Sequence, residues 1–379
     1  MSKQTKISRM IALQKKFNGY MREMFAPDCA YLDQITCPPP WRYTDYDART
    51  PDAGKFSAPY RVFMASLRQE EADFGPVLSE GKTQMFFAGL CDSYAQTARM
   101  KTHVLPDFNL RKLHLLSNDC GYELSLINWK GSGIKPAVGV YRNLAMQYAY
   151  GNTAHIYGPY HGEPYDKALP NFVIQSYFLI QPLQEFYALE PVRDILYNVN
   201  GELAPVEKAI EAGMLSQNQV KITYRNGLEV AANLNEKENF KVKLHDREYL
   251  LPPDGFAAYL PGRAEAFSAL IDGVRSDFMK VAALEYRDGK AAGGAVRAEH
   301  AYLLKKTAKE LVLTPAPFVA AERVTVDLAQ IPGWEKAAKV AVEAQDMAGK
   351  VLSTETAVVR GSKVELTVDG KAFRYRLTK

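Results

Sequence analysis

The sequence predicts an α/β fold joined to an all-β one: a partial (β/α) TIM-type barrel, represented by its C-terminal units, followed by two antiparallel β-sandwich-like domains. Three observations predict it. Short apolar runs that end in an acid alternate with helically spaced segments through the first 192 residues. Beyond about residue 193 the apolar period changes from about 3.6 to about 2, as strands require. Pro315 and Pro317 then separate two such β-rich stretches. The expected domains are 1–192, 193–314 and 315–379.

The elements follow in order. Residues 7–25 have helical spacing, weakly interrupted at Gly19, and Pro27-Asp28 closes the helix. The apolar run Cys29–Leu32 is a strand ending at Asp33. A helix feeding directly into an acid-tipped strand is an unusual opening for a barrel, so earlier βα units are expected to be absent from this polypeptide. The stretch from Gln34 to Ser57 is rich in Pro, Asp, Tyr and Trp, and a connection longer than ~12–15 residues is usually functional. Ala58–Asp73 is the next helix, and Gly75-Pro76-Val77-Leu78-Ser79-Glu80 the next acid-tipped strand. Met85–Leu90 is expected as a third strand, leading to Asp92. Leu110–Leu116 and Thr153–Tyr157 are further strands, and Val138–Tyr148 is a helix. Asn171–Tyr187 is a long apolar helix in which Pro182 predicts a kink or break.

In the β-rich half, Gln219–Tyr224 and Leu228–Asn233 flank Arg225-Asn226-Gly227, a strong hairpin signal. Pro205–Met214 is a short helix. Phe240–Leu244, Glu248–Leu251, Phe256–Leu260, Ala266–Ile271 and Met279–Tyr286 continue as strands. Beyond Pro317, five runs alternate cleanly: Val319–Val326, Ala338–Ala344, Val351–Val359, Val364–Val368 and Phe373–Leu377. They predict a small sandwich.

Composition narrows the function. The chain has 379 residues, 47% hydrophobic and 24% charged, ordinary for a protein with a substantial core. Its 47 basic and 43 acidic residues leave a net charge of +4 with no concentrated Lys/Arg block, so nucleic acid is not an expected partner. No run approaches the ~18 apolar residues of a membrane span, and no membrane partner is expected. Residues 1–20 are basic and amphipathic but lack the apolar segment of an export signal. Secretion or periplasmic location is expected only if sequence precedes Met1. Cys29, Cys37, Cys91 and Cys120 lack zinc-site spacing and make no disulfide framework. Cys29 and Cys91 are expected as small buried hydrophobes within strands. His103 and His114 have no third convergent ligand, so no metal is expected. Neither a phosphate loop nor a dinucleotide fingerprint is present, and no cofactor is expected.

Asp33 and Glu80 are the candidate catalytic residues. They lie 47 residues apart, a fitting length for one loop–helix–strand unit with a large insertion. In parallel barrels the C-terminal strand ends carry the chemistry. Adjacent strands are ~4.8 Å apart, so two acids on neighbouring tips can approach the ~5–5.5 Å separation of retaining glycosidases. Asp33 would attack the anomeric carbon. Glu80, held protonated by burial and by its neighbour's charge, would protonate the leaving oxygen. The competing role for both acids is helix capping, common for Asp and less so for Glu.

Ala30-Tyr31-Leu32-Asp33 with Pro40-Trp41 and Asp45, then Gly75–Gly81, then Phe87-Ala88-Gly89-Leu90 with Asp92, resembles a family of bacterial barrel glycosidases. These are related to endo-α-N-acetylgalactosaminidases and more distantly to the α-galactosidase group. The similarity spans roughly residues 20–290. It includes the Tyr224–Gly227 hairpin and Leu250–Gly255, which resemble the β-domain after the barrel. The resemblance implies an Asp nucleophile closing a Tyr-Leu-Asp strand, matched by Asp33, and a Ser-Glu acid/base, matched by Glu80. That family's barrel has βα units before the nucleophile strand, which this chain lacks.

Trp41 is a candidate platform for a sugar face, and Asp45, Asp92, Asp107 and His155 are candidate hydroxyl ligands. Each has a packing or capping alternative. Tyr148, Tyr150, Tyr157 and Tyr160 are candidates to line a cleft, with core packing as the default. The expected partner is an oligosaccharide or glycoconjugate glycan. The alternative is a non-catalytic carbohydrate-binding or scaffold protein.

Overall fold

The computed structural model describes residues 7–81, 83–96, 136–151, 169–289, 294–317, 319 and 321–379. It divides into two compact units, one holding the described residues up to 96 and the other those from 136 onward. The fold is mixed α/β and is dominated by one large antiparallel sheet.

In the first unit, helix α1 (Ile7–Phe25) packs beside helix α2 (Ser57–Phe74). Tyr60, Phe63, Met64 and Leu67 recur at i, i+3, i+4 and i+7, which gives α2 one apolar face. That face closes a small core with Val77 and Phe87, joined by Met10, Leu32 and Ile35. Helix α2 ends at Gly75, whose φ of 89° needs glycine and whose N–H donates to Glu71 O. Strands β1 (Ala30–Leu32), β2 (Val77–Gly81) and β3 (Ser93–Gln96) form a parallel sheet in the order β1-β2-β3. The long connection and α2 therefore link two parallel neighbours, a βαβ unit.

Met85–Leu90 is not a strand. Gln84–Phe87 forms a 3₁₀ turn in which Met85 and Phe86 face solvent and Phe87 enters the core. Its apolar residues are consecutive rather than alternating, and pairing with β2 begins only at Ser93. Cys29 is exposed just ahead of β1, and Cys91 is half-buried after the turn, so neither lies in a strand.

The second unit opens with α3 (Pro136–Tyr150) and α4 (Leu169–Tyr187). Helix α4 runs through Pro182 unbroken. Leu179, Ile180, Leu183 and Phe186, all buried around the proline, offset the missing backbone hydrogen bond. The chain then forms β4 (Val192–Val199), β5 (Glu202–Ala204), α5 (Val206–Glu211), β6 (Gln219–Tyr224) and β7 (Glu229–Asn233). Gly227, at φ 89°, closes the β6–β7 turn with its N–H on Tyr224 O. β8 (Phe240–Leu244) and β9 (Arg247–Leu251) make a separate hairpin. β10 (Gly255–Leu260), β11 (Ala264–Ile271), β12 (Val274–Val281) and β13 (Leu284–Asp288) follow as a meander.

Met279–Tyr286 is thus the β12–β13 corner rather than one strand. The preceding β11–β12 turn is Asp272-Gly273, both at positive φ, the backbone a two-residue hairpin requires.

The remaining strands are β14 (Val296–Arg297), β15 (Tyr302–Lys306), β16 (Glu310–Pro315), β17 (Glu322–Asp327), β18 (Lys339–Gln345), β19 (Val351–Val358), β20 (Lys363–Val368) and β21 (Arg374–Thr378). Among the described residues, thirteen strands form one antiparallel sheet, β19-β18-β21-β16-β15-β13-β12-β11-β10-β7-β6-β4-β5. The hairpin β8–β9 covers one face of its middle with Phe240, Val242 and Leu251 against Ala257, Phe267 and Phe278. Helices α3 and α4 also pack on this region, with the Tyr148 ring 4.2 Å from that of Phe256. Tyr148 and Tyr150 are core residues of α3.

At the other end, the small sheet β14-β17-β20 packs Val324, Val326, Leu366 and Val368 against Leu304, Leu313, Val342 and Leu377. This C-terminal sandwich draws on strands from before Pro315 as well as after it.

Candidate functional site

The register of β1 on β2 sets Leu32 opposite Ser79. One residue further on each chain stand Asp33 and Glu80, so their backbones are neighbours at the same C-terminal end of a parallel sheet. Ser79 is buried, and its Oγ donates 2.6 Å to Leu32 O, tying the two strand ends together. Past the acids, Thr83 N–H donates to Thr36 O at 2.9 Å, and Thr83 Oγ1 to the same oxygen at 2.8 Å. These bonds hold the two loops that leave the acid pair side by side. Asp33 is exposed. It does not cap α2, which begins at Ser57 with Phe56 as its capping position. The side chain of Glu80 lies outside the described residues, as do Asp107, His155, His103, His114, Cys120, Tyr157, Tyr160 and the expected strands Leu110–Leu116 and Thr153–Tyr157.

The other candidates separate. Trp41, 47% exposed, sits in a 3₁₀ turn, Pro40–Tyr43, with its ring edge-on to that of Phe86 at 5.3 Å. It is anchored but still presents a face. The Asp45 Oδ1 accepts the Asp47 N–H at 2.9 Å, and the residue lines a cleft of about 210 Å³ with Ile11, Ala58, Arg61 and Val62 of the two helices. Asp92 precedes β3 instead of closing it. Its N–H donates 2.9 Å to Val77 O while its Oδ2 accepts the Val77 N–H at 2.8 Å. Val77 begins β2, so Asp92 belongs to the N-terminal end of the sheet, away from Asp33 and Glu80. The extra hydrogen bonds make it a structural clamp.

Sequence reading passes over a second titratable group, in the second unit. Asp277 on β12 is fully buried, and its Oδ2 accepts from Tyr141 Oη of α3 at 2.9 Å and from Gln175 Nε2 of α4. The Arg275 guanidinium lies 4.1 Å from the centre of the Tyr141 ring. Burial pushes the Asp277 carboxyl up to about 6, against hydrogen bonds from Ser268, Gln175 and Tyr141 that favour its ionised form. Asp288, its opposite number across β12–β13, is also raised by burial. One carboxylate thus pins both helices to the sheet. The signal was an acid directly ahead of an apolar pair within a strand, Asp277-Phe278-Met279.

A cleft of about 730 Å³ in this unit is lined by Phe178, Tyr286, Leu303, Lys305 and Arg374 among others. Its one carboxylate, Asp346, accepts the Lys350 N–H, so it offers no acid pair. Among the described residues, no three His, Cys, Asp or Glu side chains converge as a metal site requires. No helix among them is long and apolar enough to cross a membrane.

Compared with models of known protein families and with curated proteins, the chain matches none.

Proposed function

We propose that this chain is a retaining glycoside hydrolase acting on an α-linked sugar of an oligosaccharide or glycoconjugate, with Asp33 as nucleophile and Glu80 as acid/base. One observation carries the reading: the parallel β1–β2 register makes the two acids neighbours at the strand ends from which the loops depart. In this reading the three parallel strands are part of a (β/α) barrel, and the antiparallel half stands for the β-domains that follow it. The motif resemblance around Tyr31-Leu32-Asp33 and Ser79-Glu80 supports the same roles. Asp33, exposed and free of a capping duty, attacks the anomeric carbon as a carboxylate. Glu80 gives a proton to the departing oxygen, and then takes one from the water that releases the sugar. Trp41 offers an aromatic face to the ring.

Leaving-group dependence tests the assignment. Glu80→Ala is expected to slow hydrolysis of alkyl α-glycosides by about a thousandfold, and to spare activated aryl α-glycosides. Equal losses on both would remove Glu80 as proton donor. Asp33→Asn is expected to abolish turnover of both, and an active Asp33→Asn variant would remove the nucleophile. A non-catalytic carbohydrate-binding protein is the second reading. It is favoured by the small extent of the parallel sheet, three strands among the described residues. Saturable glycan binding without turnover by the wild-type chain would decide for it.

A further inference from the structure

Beyond its first turns, helix α1 is turned inside out. A surface helix ordinarily buries its apolar stripe and shows its polar residues to water. Met10 and Ile11 pack inward, but from Gln14 onward the side chains that bind α2 are polar. Gln14 Nε2 donates 2.9 Å to Ser66 O, Asn18 Nδ2 donates 2.8 Å to Asp73 Oδ2, and Arg22 lies 3.3 Å from Asp73 Oδ1. The Asn18 hydrogen bond, with Arg22 nearby, holds the Asp73 carboxyl below its ordinary range. The apolar residues of these turns face out instead: Leu13 is 40% exposed, Phe17 61%, Tyr20 51% and Met24 68%.

Their spacing says what kind of surface would cover them. Steps of four, three and four residues along one helix are those of a coiled-coil seam, which is matched to another helix. The flank of that seam is self-complementary. Lys16 and Glu23 are exposed and seven residues apart, so they occupy the same heptad position. In an antiparallel helix pair, residues at that position meet their own kind from the other helix. A two-fold axis then sets Lys16 beside Glu23 of the second copy, and Glu23 beside its Lys16. Leu13 falls opposite Met24, and Phe17 opposite Tyr20. Such a patch meets itself, as a two-fold dimer interface must.

We propose that the chain forms a two-fold homodimer through antiparallel pairing of α1 with α1 of a second copy. The inference does not depend on the glycosidase reading.

Sedimentation velocity of the full chain over a concentration series tests it. The wild type is expected to show a monomer–dimer equilibrium. Phe17→Glu, at an exposed position, is expected to weaken association at least about tenfold while leaving the circular dichroism spectrum unchanged. Lys16→Glu sets like charges together at both symmetric contacts and is expected to weaken it about tenfold. Adding Glu23→Lys to Lys16→Glu restores both pairs and is expected to recover wild-type association. A wild-type chain that stays monomeric at the highest soluble concentration overturns the proposal, as does association indifferent to Phe17→Glu. A double variant no stronger than Lys16→Glu overturns the antiparallel pairing.

Discussion

The two units solve the same packing problem in opposite ways. In the second, apolar residues are enclosed between layers: Phe240 and Val242 of the hairpin lie over the sheet's middle, and Val324 and Leu366 oppose Leu313 and Val342 at its end. Asp277, buried there, is held through its Oδ2 by hydrogen bonds. In the first, a small core around Phe63, Leu67, Val77 and Phe87 is flanked by α1, which is docked through amides and ions. Phe17, Met24, Tyr31, Trp41 and Met85 of that unit remain exposed. Enclosed apolar area stabilises a fold. Exposed apolar area adds nothing to that stability until something covers it.

That contrast can be broken or sharpened by mutation. The largest effect on stability is expected from Trp334→Ala in the C-terminal sandwich. Trp334 is fully buried, and its Nε1 donates 2.9 Å to Thr307 O. The substitution should cost about 3–5 kcal/mol in urea unfolding, whereas Phe17→Ala in the first unit should stay within about 0.5 kcal/mol. A comparable loss at Phe17 would mean that α1 already covers it within one chain.

Next in size is a pH effect at Asp277. Its folded value of about 6 lies above the ordinary 3.8, so protonation favours the folded state. The stabilisation is complete below pH 3.8 and is lost as pH rises through about 6. Asp277→Asn stays neutral throughout. The wild type should therefore lose on the order of 2–3 kcal/mol between pH 4 and 7 relative to that variant, from denaturant titrations at each pH. Parallel curves for the two proteins would show that the carboxylate is already ionised at acid pH.

The smallest effect is expected at Asp92. Asp92→Ala removes the acceptor for Val77 N–H and should lower stability by about 1 kcal/mol, while leaving kcat/KM for any glycoside hydrolysed by the wild type unchanged. A selective loss of activity would return Asp92 to the substrate site.

Much of this was legible in the residues. Strict alternation marked Phe240–Leu244 and Val364–Val368, and Arg225-Asn226-Gly227 marked its hairpin. Helix α2 showed itself by Tyr60, Phe63, Met64 and Leu67. Asp33 and Glu80 were readable as strand-end positions because each follows a short apolar run. The misread elements were those whose local pattern is ambiguous. Met85–Leu90 is as apolar as a strand yet forms a turn, and Met279–Tyr286 hides a corner because Met279, Glu285 and Tyr286 are buried on both sides of it.

The sequence by itself determined the periods, the turns and the chain positions of the acids, since each depends on side-chain spacing and backbone angles within a few residues. Only the tertiary structure decided which strands pair, that Asp92 stands at the opposite end of the sheet, and that α1 faces outward. Those outcomes depend on hydrogen bonds and contacts between segments dozens of residues apart, such as Asn18 with Asp73 and Asp277 with Tyr141, and no local pattern encodes a partner at that distance.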